Sequence, residues 1–210
     1  MIRLEIRNVR IEDIDVLAQV DKEAFPPDWP KSLLLDERYF RAWFEVFPEG
    51  FFVASLGGQL VGYASVQIIK HDINNPIPTW YEATDNGFIR RTHDLSGNTV
   101  YGVSLCVSKL ASQAYIGKRL MESAIGRFIS DKECGVIGSR VPNFHKVADH
   151  MTIEEYVGAK RKNGLSIDPL VTFYQRCGFS IVRVLPNYIE DPFSLNYGVL
   201  MVFYPKGKST

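Results

Sequence analysis

The alternation of hydrophobic and polar residues in the first half of the chain predicts a strand, two helices and a hairpin. Residues 2–6 alternate with the period of a half-buried strand. Apolar residues at helical spacing predict one helix that ends at the stretch PPDWP, because proline terminates a helix, and a second helix over residues 31–47. Two apolar runs that flank Gly57 and Gly58 predict a β-hairpin over residues 51–69.

The second half of the chain predicts further strands and helices around two irregular segments. The apolar run TVYGVSLCV, residues 99–107, is typical of a central strand, and a helix with one apolar stripe follows it. Residues 71–98 and 143–167 are interpreted as insertions in a single domain, residues 1–210. The order of elements predicts an α/β sandwich with a mixed sheet. The later strands are predicted at residues 135–141, 180–185 and 197–204, and the later helices near residues 153–161 and 169–177.

Composition narrows the classes of function. The 210 residues are 46% hydrophobic, enough to bury a full core, and 24 basic residues balance 24 acidic ones. A net charge of zero gives no overall field for nucleic acid or an acidic membrane, so neither is an expected partner. The N-terminus is polar and no apolar run is long enough to span a bilayer, so we expect a cytoplasmic protein. Three widely separated cysteines and four histidines without ligand spacing predict neither disulfides nor a metal site.

The stretch SLCVSKLASQAYIGKRLMESAI, residues 104–125, leads from the predicted central strand into a helix. The turn contains no Asp or Glu and carries Lys109, while Lys118 and Arg119 follow in the helix. The first backbone N–H groups of a helix are unpaired and lie at the positive end of its dipole, so an acid-free turn suits a phosphate group. An ordinary strand-to-helix connection explains the same residues equally well.

The same stretch resembles motif A of the GCN5-related N-acetyltransferase (GNAT) family, in which a strand ending in L-x-V precedes Q/R-x-x-G-x-G/A and a helix. Residues 105–107 match the end of the strand and residues 116–118 the end of the motif, with Ser112 and Tyr115 as departures. The stretch FYQRCGF, residues 173–179, resembles the Y-x-x-x-G-F signature at the end of the family's last helix. The resemblance covers nearly the whole chain and implies a mixed, mostly antiparallel sheet of about seven strands flanked by helices.

Several longer stretches are similar to one branch of this family. TWYEATDNGFIR, GNTVYGVSLCVS, HKVADHMTIEEYV and DPLVTFYQRCGF resemble the acetyltransferase domain that some bacterial proteins carry ahead of a nitrilase-type carbon-nitrogen hydrolase. The sequence ends after the last predicted strand, so we expect any link to such a hydrolase to run through a separate polypeptide.

The resemblance implies an N-acetyltransferase that takes an acetyl group from acetyl-coenzyme A (acetyl-CoA) and passes it to a primary amine of a small molecule or protein. The central strand would pair with the pantetheine arm, and the amides of the following loop would hold the pyrophosphate. Gly117 would let the backbone approach the phosphate, since it has no Cβ, and Tyr174 would protonate the departing thiolate. The side chain of Cys106 is interpreted as a small buried hydrophobe. The implied cofactor-binding residues are Leu105, Cys106, Val107, Gln113, Ala114, Tyr115, Ile116, Gly117 and Lys118.

The acceptor site is expected near Trp80, Arg140 and His145, in a groove flanked by the two insertions. No general base is evident in the predicted central strand. The protein is compatible with a homodimer, and a second hypothesis makes it a non-catalytic acyl-CoA-binding module that regulates a partner such as a nitrilase-type hydrolase. The outside candidates for a base are the loop residues Glu82, Asp85, His93 and His145.

Overall fold

Seven strands of the protein form one mixed sheet. The computed structural model describes residues 3–75, 77, 79–111 and 113–207, and within these ranges the strands are β1 (Leu4–Asn8), β2 (Phe51–Leu56), β3 (Gln59–Ile69), β4 (Thr99–Val107), β5 (Cys134–Arg140), β6 (Ser180–Leu185) and β7 (Gly198–Phe203). Their order is β1-β2-β3-β4-β5-β7-β6. β4 and β5 are parallel and every other neighbouring pair is antiparallel, which confirms the predicted mixed, mostly antiparallel sheet.

Helices cover both faces of the sheet. They are α1 (Ile14–Ala24), α2 (Glu37–Val46), α3 (Trp80–Ala83), α4 (Gln113–Gly126), α5 (Ile153–Gly158) and α6 (Pro169–Arg176). The hydroxyl of Tyr63 in β3 donates to Asp21 of α1. A Cβ at the preceding residue, Gly62, would lie 3.2 Å from Leu120 of α4. Because successive residues of a strand point to opposite faces, α1 and α4 lie on opposite faces of the sheet. No helix in the described ranges is long and apolar enough to cross a membrane.

Two helices differ from their predicted bounds. α2 begins at Glu37 rather than at residue 31, because Asp36 caps it: its Oδ1 accepts the N–H of Arg38 at 2.9 Å. Residues 31–33 form a separate 3₁₀ turn. α5 ends at Gly158 rather than at residue 161.

The insertion at residues 71–98 joins β3 to β4. These strands are antiparallel neighbours, so the insertion widens a hairpin as the sequence predicted. It contains α3, which begins with a capping box in which the side chains of Thr79 and Glu82 each accept the other's backbone N–H. The helix places Trp80 against β4.

One aromatic cluster fixes α2 against the sheet. Phe40 and Trp43 of α2 pack edge to face with ring centroids 5.4 Å apart, and Phe40 lies 5.2 Å from the ring of Tyr63 in β3. Trp43 also contacts Phe51 of β2 at 5.4 Å, and all four side chains are fully buried. Such contacts hold the ring of Tyr63 in one position, with its hydroxyl towards α1.

Candidate active site

The sheet opens between β4 and β5. Their parallel pairing covers only Thr99–Tyr101 with Cys134–Val136, although β4 continues to Val107 and β5 to Arg140. Beyond Tyr101 the two strands therefore separate, and β4 has an edge that β5 does not cover.

A bulge marks the point where β4 leaves β5. Two consecutive residues of β3 pair with Gly102 and Ser104, which leaves Val103 out of the ladder. The indole Nε1 of Trp80 donates to the carbonyl oxygen of Val103 at 2.9 Å. The sequence analysis expected Trp80 near the acceptor site, and in the structure its side chain both lines the cavity and holds its loop against β4.

Backbone groups of β4 beyond the bulge face the opening. The N–H of Ser108 donates to the carbonyl oxygen of Val61 at 2.8 Å and therefore points towards β3. Successive residues in an antiparallel ladder direct their backbone groups to alternate sides. Leu105 and Val107 consequently direct theirs away from β3 and towards β5.

A cavity of about 220 Å³ occupies this opening. The insertion at residues 71–98 contributes one wall, as expected. The wall expected from residues 143–167 comes instead from residues 188–190, between β6 and β7, and from the end of β5. Side chains with functional groups line the cavity, among them Asp21, Trp29, Trp80, Ser104, Cys106, Arg140 and Tyr174.

Tyr174 lies near the end of α6, and the two caps of that helix fix its position. Asp168 accepts two backbone N–H groups at the start of α6, and Gly178, with φ of 94°, ends it. The Tyr174 ring packs on Phe173 and Phe179 with centroids 5.0 and 6.0 Å away. Its hydroxyl makes no hydrogen bond within the described part of the chain. Burial raises the pKa of Tyr174 above its usual value, so the hydroxyl keeps its proton.

Asp21 is a cavity residue that the sequence analysis missed. Its side chain is 1% exposed, and its Oδ2 accepts the N–H of Leu35 at 3.0 Å. Its Oδ1 accepts the hydroxyl of Tyr63 and, at 3.3 Å, the thiol of Cys106. Burial raises the pKa of Asp21 above its usual value. In the sequence Asp21 looks like one more polar position of an amphipathic helix, and only the placement of its partners reveals its burial.

Cys106 is buried, as predicted, and its thiol makes a hydrogen bond as well. Burial, and next the charge of Asp21, raises the pKa of the Cys106 thiol well above its usual value. A thiol that keeps its proton is a poor nucleophile, so Cys106 is unsuited to carry an acyl group.

Arg140 closes the cavity at the end of β5. Its Nε donates to Oδ2 of Asp191 at 2.6 Å, and Asp191 is fully buried. The guanidinium carbon lies 4.4 Å from the ring centroid of Trp29 and 5.2 Å from that of Phe25. The guanidinium of Arg140 hydrogen-bonds to other described residues only through Nε. Its terminal N–H groups can therefore donate to a bound molecule.

The other candidates from the sequence have structural partners. His145 lies outside the cavity wall, with Nδ1 2.9 Å from the carbonyl oxygen of Phe193. Glu82 caps α3, Asp85 forms an ion pair within the insertion, and Nδ1 of His93 accepts a backbone N–H of β3 at 3.2 Å. Across the described ranges no group of three or more His, Cys, Asp or Glu side chains could hold a metal ion.

The residues predicted as a cofactor-binding loop form the first turns of α4. Gln113, Ala114, Tyr115, Ile116, Gly117 and Lys118 are all helical, so the sequence-based loop extended too far. Among the described residues the connection before α4 covers residues 108–111, and Ser112 lies outside them. Because the first amides of a helix lack helical acceptors, an anion site in this segment would lie at the start of α4, and it stays a prediction. A helical backbone also makes Tyr115 compatible with this site, because no positive φ is needed there.

Gly117 packs against the neighbouring helix. A Cβ at this position would lie 3.1 Å from the ring of Phe173, so a glycine allows α4 and α6 to approach closely on the same face of the sheet.

An acidic side chain from another element lies next to the turn before α4, although the turn itself contains no Asp or Glu. Ser108 Oγ donates to Oε2 of Glu23, at the end of α1, at 2.7 Å.

Comparison with known proteins agrees with this geometry. The model of the acetyltransferase (GNAT) family matches residues 14–150. The chain is 38% identical over 208 residues to "Uncharacterized N-acetyltransferase YkwB" of Bacillus subtilis (strain 168), covering 97% of this chain and 91% of that protein. It is 33% identical over 204 residues to "Probable hydrolase YhcX" of the same organism, covering 95% of this chain and 38% of that protein. The second match fits the predicted resemblance to a domain fused to a hydrolase.

A solved structure supports the fold independently. The loading GNATL domain of CurA from Lyngbya majuscula is similar to this chain with a TM-score of 0.80 and 24% identity. The match covers 96% of this chain and 98% of that one. At this identity the likeness establishes the architecture alone.

Proposed function

Because the chain belongs to the GNAT acetyltransferase family, we propose that it transfers the acetyl group of acetyl-CoA to a primary amine of a small molecule or protein. The observation that carries the proposal is the opening between β4 and β5, with Leu105 at its edge and Tyr174 lining the cavity in it. Amide formation from a thioester needs a polarised carbonyl, a free amine and a proton for the leaving thiolate.

The open edge of β4 is proposed to hold the pantetheine arm. Leu105 directs its backbone groups into the opening, where its N–H can donate to the thioester carbonyl. The pyrophosphate is proposed to lie at the start of α4, near the amides of Gln113 to Ile116 and the side chain of Lys118. Cys106 contributes packing rather than a contact with the cofactor, since its side chain faces Asp21.

Tyr174 is proposed to give its proton to the sulfur of coenzyme A as the carbon–sulfur bond breaks. Its hydroxyl has no competing partner among the described residues, and its raised pKa keeps the proton in place until the thiolate forms. Reaching the sulfur requires that the thioester lie in the cavity that Tyr174 and Leu105 both line.

The acceptor amine is proposed to enter beside Trp80, Trp29 and Arg140. The two indole rings provide an apolar surface, and the terminal N–H groups of Arg140 provide donors for an oxygen atom of the acceptor. We leave His145 out of this proposal, because its ring nitrogen faces backbone carbonyl groups behind the wall.

A second candidate function is a non-catalytic acyl-CoA-binding module for a partner hydrolase. The similarity to YhcX, which carries the name of a probable hydrolase and of which this chain spans 38%, supports this alternative. A module of this kind would need the opening in the sheet and the start of α4, but would have no use for the hydroxyl of Tyr174.

Titration calorimetry and a thiol-release assay separate the two functions. The first measures binding of acetyl-CoA and of coenzyme A. The second measures free thiol from acetyl-CoA with a panel of primary amines that includes small amines, amino acids and peptides, and a reaction without amine serves as the control. Thiol release that depends on the amine, with the acetylated amine identified by mass spectrometry, supports the transferase. Tight binding without turnover supports the regulatory module, and absence of binding contradicts both.

A further inference from the structure

A chain of hydrogen bonds leads from the cavity to the buried carboxylate of Asp21. Ser104 lies on β4 beside Leu105, lines the cavity and is partly exposed. Its Oγ is 3.3 Å from the hydroxyl oxygen of Tyr63, which is fully buried, and this hydroxyl in turn contacts Asp21. The three side chains come from β4, β3 and α1, so folding alone brings them together.

The donors in this chain all point in one direction. Tyr63 has a single hydroxyl hydrogen and donates it to Oδ1 of Asp21. In its contact with Ser104 the Tyr63 oxygen must therefore accept, and Ser104 must donate. The lone pairs of Ser104 Oγ can then accept a hydrogen bond from a molecule bound in the cavity. A proton that enters at Ser104 can move on to Asp21 without a shift of any heavy atom.

We propose that Ser104, Tyr63 and Asp21 form the proton relay that deprotonates the acceptor amine, an inference that rests on the proposed transferase function. As the amine nitrogen bonds to the acetyl carbon, its proton moves to Ser104, the Ser104 proton moves to Tyr63, and the Tyr63 proton moves to Asp21. The carbon–sulfur bond breaks, and the sulfur takes the proton of Tyr174. Asp21 then holds one proton more and Tyr174 one proton fewer, and exchange with water restores both.

The surroundings of Asp21 suit a proton acceptor. Within the described residues its carboxylate contacts the hydroxyl of Tyr63, the thiol of Cys106 and the N–H of Leu35, and no basic side chain. The charge of Arg140 reaches it only from a distance. Burial therefore dominates and raises the pKa of Asp21, which makes its carboxylate a stronger base than an exposed one.

A purely structural network predicts different behaviour. A carboxylate that accepts three hydrogen bonds can simply fasten α1 to the sheet, and then Asp21 and Tyr63 would matter for stability alone. Ser104 lies at the cavity end of the network, where it is partly exposed and its one hydrogen bond among the described residues measures 3.3 Å, so its hydroxyl would contribute little to stability. In the relay, by contrast, Ser104 is the entry point for every proton. Variants of Ser104 therefore separate the two explanations.

The experiment compares Ser104→Ala and Ser104→Thr with a matched serine control. Ser65 pairs with Ser104 across β3 and β4, and its buried hydroxyl has no hydrogen-bond partner among the described residues. We expect Ser104→Ala to lower kcat about 100-fold with little change in the KM for acetyl-CoA, as general base catalysis typically contributes this much. Ser104→Thr retains a hydroxyl and should restore most of the activity, and Ser65→Ala should retain the activity of the parent.

A double variant tests whether the groups act as one unit. Tyr63→Phe should also lower kcat, and Ser104→Ala combined with Tyr63→Phe should be no slower than the slower single variant, because either change breaks the same relay. Parental kcat in Ser104→Ala, or an equal loss in Ser65→Ala, overturns the relay and leaves the transferase in place. A parent that binds acetyl-CoA but acetylates no amine overturns the transferase function, and the relay falls with it.

Discussion

Replacing Tyr174 by Phe removes one hydroxyl from the cavity and leaves the rest of the side chain in place. The ring keeps its contacts with Phe173 and Phe179, and no hydrogen bond within the described residues is lost. If the hydroxyl protonates the leaving thiolate, the variant should fold normally and bind acetyl-CoA like the parent. Its kcat should fall, because the departing sulfur has lost its proton donor.

The size of the loss follows from the acidities of the two groups. General acid catalysis typically contributes about 10²- to 10⁴-fold. A thiol has an ordinary pKa of about 8.5, so its thiolate already leaves fairly well. The raised pKa of Tyr174 also makes it a weak acid. Both facts favour the lower limit of this range. We therefore expect kcat to fall about 100-fold, which corresponds to an increase of about 2.7 kcal/mol in the activation free energy.

The assay measures kcat, the KM for acetyl-CoA and the melting temperature of Tyr174→Phe, Tyr174→Ala and Tyr197→Phe. Tyr197 packs on Phe144, outside the cavity wall, and serves as the matched control. Tyr174→Ala should lose about 3 kcal/mol of stability through the space it leaves, and Tyr197→Phe should keep parental turnover. A Tyr174→Phe variant as fast as the parent refutes the catalytic role and leaves Tyr174 as a packing residue.

Three further predictions concern packing, a buried ion pair and alkaline pH. Gly117→Val should lower the free energy of unfolding, measured by chemical denaturation, by about 1–3 kcal/mol, because its Cβ would lie 3.1 Å from Phe173. Gly126→Val in the same helix has open space around its Cβ and should lower it far less. Arg140→Met should lower the free energy of unfolding by about 3 kcal/mol, because it leaves the buried Asp191 without its cation. Adding Asp191→Asn to this variant should recover part of the loss. An unchanged urea midpoint in Arg140→Met would contradict the prediction. Burial raises the pKa of Tyr63, Tyr101 and Tyr188 above the value in the unfolded chain. The free energy of unfolding should therefore keep its full value below about pH 10 and fall as the pH rises further. Equal urea midpoints at about pH 8 and about pH 10.5 would contradict this.

The strands were predictable from the sequence because each combines a clear hydrophobic pattern with a clear boundary. β6 spans the predicted residues 180–185, and Gly57 and Gly58 form the turn of the predicted hairpin with positive φ. The start of α4 was harder to predict. The resemblance to motif A implied a phosphate loop up to Lys118, whereas in the structure Gly117 lets α4 approach Phe173. Sequence spacing does not distinguish a glycine needed for a ligand from one needed for a neighbouring helix.

Local sequence patterns likewise reveal only part of the candidate site. Tyr174 was predictable because it belongs to a short local pattern that ends at Phe179. Asp21, Tyr63 and Ser104 belong to three segments far apart in the chain, and each has an ordinary explanation as a helix surface, a core aromatic or a strand polar residue. Their connection depends on the register of β3 with β4 and on the side of the sheet that α1 covers. No local pattern encodes either of these.

The opening of the sheet would let the proposed acid and the proposed base serve one reaction without neutralising each other. Tyr63 points to the face that α1 covers, so Asp21 and the inner end of the proposed relay lie on that face. Tyr174 belongs to α6, which packs beside α4 on the opposite face. An unbroken sheet would separate the two groups by a layer of backbone, but between β4 and β5 beyond Tyr101 one cavity reaches both. A thioester carbon held in that gap would meet the amine from the α1 face and release its thiolate towards the α6 face, where Tyr174 and the start of α4 lie.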